Sequence, residues 1–452
     1  MLARCEKRHA LFLQGTGNLF FSRFSTKLED MGVETSKIHL CTGDLLFWRG
    51  KNRAFYRGNF QNWKAYIEQY ILQHTITDIV LFSDSRPYHA VATAVAKSLN
   101  VNVFVFENGY LRPNWITMEL GGVNGRSGFP SDPEQIYQLS RQARPWQKPY
   151  VKGVTTNPYK LYLGDTVFHG LNYLTPFVFS NYAGFRSVSA FREAYGWVKK
   201  AVSRSGKVRR SQKALAALLT SDTPFYFYPL QLAHDYQLKI DSPYKTIGEA
   251  SDEVIASFAK FAPPQAKLLV KNHPLDNNII NREVETARLA RLHGVQDRVV
   301  FIEAGHNPTI LDKTLGMVTI NSTMGTSALF HAVPICVLGK AIYKVNGLAH
   351  KGGLDSFWQA PQQPDMKFYQ IFKDALIAHS QIEGHFCETS PDAWVYEHCT
   401  AKFFSAPNQA AVAVDANAIG QSLAVVDDQS QAAVSGTAKA QTGTRAGVIP
   451  VG

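Results

Sequence analysis

Val101–Arg112 reads V-N-V-F-V-F-E-N-G-Y-L-R, and this stretch sets the fold class. Val101–Phe106 is apolar, β-branched and aromatic, and it ends abruptly in an acid, an amide and a glycine. A run that is apolar at both alternating sets of positions suits a parallel strand buried on both faces. In open α/β sheets, ligands bind outside the carboxyl ends of the strands. Glu107, Asn108 and Gly109 therefore stand where a reaction centre is expected. A glycine there lets the chain turn sharply and leaves room for a ligand. The plain alternative is a charged strand end in solvent, and two further strand ends weigh against it.

Towards the N-terminus, His9–Gln14 (H-A-L-F-L-Q) reads as the first strand. It runs through Gly15-Thr16-Gly17-Asn18 into a helix-like stretch, Leu19–Met31. Such a turn can hold a phosphate or sugar at the helix start, although Phe20 stands where a dinucleotide fingerprint has its third glycine. Lys37–Cys41 is a short strand, Asn59–His74 a helix, and Asp78–Phe82 a third strand. That strand ends in S-D-S-R-P-Y-H, where Pro87 suits a first helical turn and Ser85 its cap. Asp84, Arg86 and His89 read either as capping residues or as a polar wall of the cleft that holds Glu107. Strands alternating with helices at this spacing predict a doubly wound parallel sheet.

Beyond Glu107 the chain reads as a long loop to Pro130, carrying a second acid, Glu119, with Arg112, Trp115, Asn124 and Arg126, which could place a sugar against an aromatic face and a carboxylate against an arginine. Long ordered loops in compact domains are usually functional. Pro145–Lys213 is rich in aromatic residues and ends in a basic run. Seven of the fifteen residues from Lys199 to Lys213 are lysine or arginine, with no acid among them. The run is either a solvated connection or a dock for anionic lipid headgroups, with aromatic residues at the interface.

A second α/β unit follows. Pro224–Gln231, Lys267–Lys271, Arg298–Glu303, Gly316–Ile320 and Pro334–Leu338 read as strands, with helices between them. Lys267–Lys271 ends in Asn272-His273-Pro274, and Gly316–Ile320 ends in Asn321-Ser322-Thr323-Met324-Gly325. Hydroxyls, a glycine and unpaired N–H groups at a helix start make an anion site, or else an ordinary N-cap. Two such units, each with ligand-type residues at its strand ends, imply a cleft between them. The domain reading is 1–150, a connection 151–215, a second domain 216–405 and a disordered, aromatic-free tail 406–452.

The chain has 452 residues, 45% hydrophobic and 18% charged, with a formal net charge of +11, the profile of a globular protein seeking anionic partners. Nothing in it matches a nucleic-acid signature or zinc-ligand spacing. Five scattered cysteines fit a reducing compartment better than a disulfide framework. No window is apolar enough to span a membrane, and the first residues lack a signal-peptide core. These features predict a cytoplasmic protein that needs no metal or other cofactor.

The motifs F-E-N-G-Y-L-R-P-N-W-I-T-M-E, K-N-H-P and N-S-T-M-G-T, with Q-G-T-G-N-L-F-F and S-D-S-R-P-Y-H, carry a resemblance. Together and in this order they resemble the bacterial capsule polysaccharide synthesis family of KpsS/LipB type, over roughly Arg8 to Phe404. The resemblance implies a GT-B arrangement of two Rossmann-like domains and a retaining β-Kdo transferase. CMP-Kdo would be the donor and a lyso-phosphatidylglycerol terminus the acceptor, at the inner membrane surface and beside other capsule synthesis and export proteins. The pattern is also similar to that of CMP-sialic-acid transferases. By that match His273, with Pro274, and Asn321, Ser322, Thr323 and Gly325 would bind the CMP phosphate. Glu107-Asn108-Gly109 matches an acid-acid-glycine motif, except that Asn108 replaces the second acid. Catalysis then falls to Glu107 or Glu119, with Gly15, Asn18, Asp84, Arg86, His89, Asn108, Gly109 and Arg112 around the substrate. Two rival readings are another nucleotide-sugar enzyme of this architecture and a non-catalytic glycan-binding export subunit.

Overall fold

The structure is a computed structural model that describes residues 8–142, 158–184, 190–232, 240–276, 279–388 and 393–407, with Leu238 and Ser390 besides. The expected tail lies outside the described residues from position 408 onward. Part of the expected connection, 151–157 and 185–189, lies outside them too, as do 143–150 before it.

The opening stretch forms strand β5, Asn102–Asn108, beside β4, Asp78–Phe82. They pair in parallel from Asp78↔Asn102 to Phe82↔Phe106. Val103 and Val105 face one way, into a cluster with Trp63, Ile67, Tyr88 and Ala92. Phe104 and Phe106 face the other way, into a cluster with Phe20, Phe24 and Phe403. Both faces are covered, so Val103–Phe106 is apolar at every position. Burying each of these side chains fully contributes roughly 1.5–3 kcal/mol. The remaining parallel strands are β1, His9–Phe12, β2, Glu34–His39, and β3, Arg53–Phe55. Their order is β3-β2-β1-β4-β5, the doubly wound order with its switch point between β1 and β4. Strand β2 begins earlier than the sequence suggests, because Thr35, Ser36 and Lys37 are polar and yet buried.

Trp115–Leu120 corrects the long-loop reading. It is a strand, β6, antiparallel to β5 from Phe104↔Leu120 to Asn108↔Ile116. Its alternation carries the reason: Ile116 and Met118 enter the phenylalanine cluster, while Thr117 and Glu119 turn to the other face. The expected boundary 216–405 is also corrected. Strand β12, Gln381–Glu383, adds antiparallel to β6, and the helix Trp394–Ser405 packs on the first sheet. Tyr396 stacks on Phe20 and Phe403 on Phe104, with ring centroids 5.0 and 4.9 Å apart. The chain thus returns to cover apolar surface that the first 150 residues leave open.

The second sheet holds β7, Phe225–Pro229, β8, Lys267–Lys271, β9, Val299–Ile302, β10, Gly316–Thr319, and β11, Ile335–Val337. All its pairs are parallel, in the order β11-β10-β7-β8-β9. This repeats the first sheet's winding, with the switch point between β7 and β10. Loops from the two carboxyl edges meet. Tyr110 and Leu111, just past β5, join the second domain's core, and Thr326 Oγ1 donates to the Tyr110 carbonyl at 2.6 Å. Two Rossmann-like sheets joined edge to edge in this way form a GT-B-like α/β fold.

Candidate functional site

At the first switch point, Asn18 Oδ1 accepts from the Phe20 N–H at 3.0 Å and from Thr16 Oγ1 at 2.9 Å. These bonds start helix α1, Phe20–Asp30. A Cβ on Gly17 would lie 2.8 Å from the Gly164 backbone, so a second helix crosses the turn there. Glycine at this position admits that helix. Arg86 Nη1 donates to the Gly15 carbonyl at 3.3 Å, which ties the β4 loop to the β1 loop. Gly15, Asn18, Lys37 and Trp48 line a shallow recess beside it.

Asp84 is 3% exposed and takes a two-pronged bond from Arg126, 2.8 Å from Nε and 2.6 Å from Nη2. The same guanidinium lies 3.8 Å from Asp241 of the second domain. Bidentate pairing fixes orientation as well as charge. Asp84 is therefore part of a tie between the domains. His89 does not line the cleft, contrary to expectation. It is fully buried, and its Nδ1 lies 3.0 and 2.9 Å from the Phe82 and Ser83 carbonyls, holding the bend where Ser83 has φ 60°.

Burial, more than the nearby Arg86 charge, pushes the His89 pKa down to about 3. The unfolded chain titrates this histidine near 6.5. Between those values the unfolded state binds the proton and the native state does not, so stability present above pH 6.5 is lost as pH falls. Acidification from pH 6 to pH 5 is expected to destabilise the chain by about 1 kcal/mol through His89 alone. His89→Gln should flatten that part of the pH profile of the melting temperature. An unchanged profile would show that His89 is not the group responsible.

Glu107 is half-buried at the end of β5, and its Oε1 accepts from the Asn108 N–H at 3.0 Å. Asn108 is exposed beside it, and exposed Arg112 lies within the field of the Glu107 carboxylate. The space at Gly109 goes to protein, not ligand: a Cβ there would lie 2.4 Å from the Trp115 carbonyl. Glu119 is 1% exposed, and its Oε1 takes Ser127 Oγ at 2.6 Å, the Gly128 N–H at 2.7 Å and His379 Nε2 at 2.9 Å. It ties the segment after β6 to the helix Met366–His379.

At the second switch point a reciprocal amide pair bridges β7 and β10. Gln231 Oε1 accepts from the Asn321 N–H at 3.0 Å, and Gln231 Nε2 donates to Asn321 Oδ1 at 2.7 Å. Ser322 Oγ accepts from the Met324 N–H at 3.2 Å, and Thr323 is the N-cap residue of the short helix Met324–Phe330. Gly325 packs under the Tyr343 ring, 2.3 Å from where a Cβ would sit, so it does not face a ligand.

At the end of β8, the Leu275 N–H donates to His273 Nδ1 at 3.1 Å. An accepting Nδ1 leaves the neutral ring's proton on Nε2. Burial, outweighing Asp276, holds the His273 pKa down at about 4, so the ring is neutral near pH 7. Lys271 is 6% exposed, donates to the Gly305 carbonyl at 2.7 Å and to Asn307 Oδ1, and is pushed by burial to about 8. The Asn307 amide in turn reaches Met324 Sδ at 3.3 Å, linking the β8 end to the Ser322 turn. Helix α7, Ala190–Thr220, brings Lys200 to the Pro274 and Asp276 carbonyls, at 2.6 Å each. Lys207 lies 3.8 Å from Glu303. Two cations of the basic run thus stand at this strand edge.

The sequence reading missed Gln231, Lys271, Tyr110 and Asp241. Lys271 carried a readable signal, a lysine closing an apolar strand immediately before Asn-His-Pro. The others act through contacts distant in sequence, and nothing local marks them.

Comparison with known proteins places these features in context. A family described as capsule polysaccharide biosynthesis protein matches residues 77–387. The chain is 30% identical over 375 residues to the capsule polysaccharide export protein KpsS of Escherichia coli, across 83% of this chain and 95% of that protein. It is also 30% identical over 387 residues to the capsule polysaccharide modification protein LipB of Neisseria meningitidis serogroup A, across 83% of this chain and 91% of that protein. Among solved structures, the β-Kdo 2,7 transferase of Thermosulfurimonas dismutans KpsC aligns with a TM-score of 0.39 at 14% identity, covering 88% of this chain and 100% of that one.

Proposed function

This chain belongs to the capsule polysaccharide biosynthesis family, and from that premise we propose that it transfers a β-linked Kdo residue from CMP-Kdo to a lyso-phosphatidylglycerol acceptor. The observation that carries the reading is the distribution of acids and donors over the two facing carboxyl edges. On the first edge, Asp84 is 3% exposed and held by Arg126, and Glu107 stands half-buried at the end of β5, while Glu119 lies buried opposite Val105, further into the sheet. On the second sheet, His273 follows β8 and Asn321 and Ser322 follow β10, and Lys271 at the end of β8 is linked through Asn307 to Met324 beside Ser322. A neutral N–H donor and hydroxyls stabilise a departing phosphate without a proton transfer.

In the retaining path, the Glu107 carboxylate attacks the anomeric carbon as the bond to the CMP phosphate breaks. The acceptor hydroxyl then displaces Glu107, which leaves as the free carboxylate while the hydroxyl proton passes to solvent, so the β configuration is kept. The reaction takes place at the inner membrane surface, towards which a chain of net charge +11 is drawn. No helix among the described residues is long and apolar enough to cross a membrane.

His273→Ala is expected to weaken CMP binding about tenfold, the loss of one good hydrogen bond to a charged group. Calorimetry with CMP measures it, and an unchanged affinity would assign His273 to the Leu275 turn alone. Equal binding of UDP and CMP would favour a different nucleotide-sugar enzyme. The reading as a whole is tested by incubating the purified chain with CMP-Kdo and a synthetic lyso-lipid, with product read by mass spectrometry.

A further inference from the structure

Helix α6, Pro158–Leu174, presents its apolar stripe to the outside. Leu163, Val167, Gly170 and Leu174 follow i, i+4, i+7, i+11 and so share one face. Leu163 is 64% exposed, Leu174 is 77% exposed, and Phe177 in the next turn is 77% exposed. The other face anchors the helix through a glycine, a buried phenylalanine and an asparagine. Gly164 lies on the Gly17 turn, Phe168 covers Gly43, and Asn172 Oδ1 accepts from the Gly43 N–H at 2.7 Å. A helix on a globular protein normally buries its apolar stripe, and contiguous exposed apolar surface marks an interaction site.

Charge selects the partner. From Leu161 to Phe185 the only Asp, Glu, Lys or Arg is Asp165. Next in the chain, α7 exposes Lys199, Arg204, Arg209, Arg210 and Lys213. A second copy of a chain of net charge +11 would bring like charge onto like. A leaflet of anionic lipid offers both an apolar layer and opposite charge. Because α6 roofs the β1–α1 turn at the carboxyl edge of the first sheet, whatever covers its stripe also lies beside the cleft.

We propose that the stripe of Leu163, Val167 and Leu174, continued by Phe177, is seated in the headgroup and acyl boundary of an anionic membrane, presenting the cleft to lipid-borne acceptors. The last clause rests on the transferase reading; the docking itself does not. The test uses the full chain and vesicles of phosphatidylcholine, alone or mixed with phosphatidylglycerol, at low and high salt. The triple variant Leu163→Ser, Leu174→Ser, Phe177→Ser changes only exposed side chains. It is expected to bind the mixed vesicles at least about tenfold more weakly than the unaltered chain, with that ratio kept at high salt. Its melting temperature and CMP affinity should not move. Equal binding by the variant and the unaltered chain would overturn the proposal and leave docking to the basic helix. So would an unaltered chain that ignores both vesicle types, or one that sediments as a dimer and becomes monomeric in the triple variant. Failure of CMP binding with vesicle binding intact would instead count against the transferase reading.

Discussion

Glu107→Gln is expected to lower sugar transfer at least about a hundredfold, the low end for a positioned acid or base group. That corresponds to about 2.7 kcal/mol of transition-state stabilisation. Glutamine keeps the size and the oxygen that accepts the Asn108 N–H at 3.0 Å, so the end of β5 should hold its shape. CMP affinity and the melting temperature should stay within error, because His273 and Ser322 lie on the other sheet. The same change at Glu119 should behave in the opposite sense. Its oxygen receives three donors in the interior, so Glu119→Gln should lower stability before it touches chemistry. A Glu107→Gln enzyme at full activity beside a folded, inactive Glu119→Gln enzyme would move the catalytic assignment to Glu119.

The second large effect is expected at Arg126, in the segment after β6. Arg126→Met removes the cation from between Asp84 and Asp241, which are 3% and 2% exposed. Orphaned buried carboxylates are costly, and breaking such a tie destabilises by about 3 kcal/mol. The melting temperature should fall clearly. Adding Asp84→Asn and Asp241→Asn to Arg126→Met should recover much of the loss, since no buried charge then lacks its partner. If Arg126→Met melts like the unaltered chain, the tie contributes nothing to stability and the other contacts between the two domains hold them.

The fold was legible because both sheets are doubly wound from short apolar runs bounded by turn residues. The strand ends at Asp84, Glu107, His273 and Asn321 could each be placed from one such run. Two features escaped. The strand Trp115–Leu120 holds only one buried face of apolar residues and follows a Pro-Asn turn, so its neighbours made it look like loop. The return of residues 381–407 to the first sheet depends on Phe386, Tyr396 and Phe403 meeting Phe20 and Phe104, contacts more than 275 positions apart in the chain. His89 misled for a related reason. A polar residue after a strand end looks the same in sequence whether it faces a ligand or holds two main-chain carbonyls. Gln231 and Lys271 show the converse, since their place beside the switch point is visible only once β7, β8 and β10 lie side by side.

The most direct test of the central claim combines the purified chain, CMP-Kdo and a synthetic lyso-phosphatidylglycerol, with lipid product and released CMP measured together. The account predicts a lipid carrying one added Kdo in β linkage, one CMP released for each, and neither with Glu107→Gln. Binding of CMP-Kdo with no glycolipid formed, or a product of inverted configuration, would contradict it.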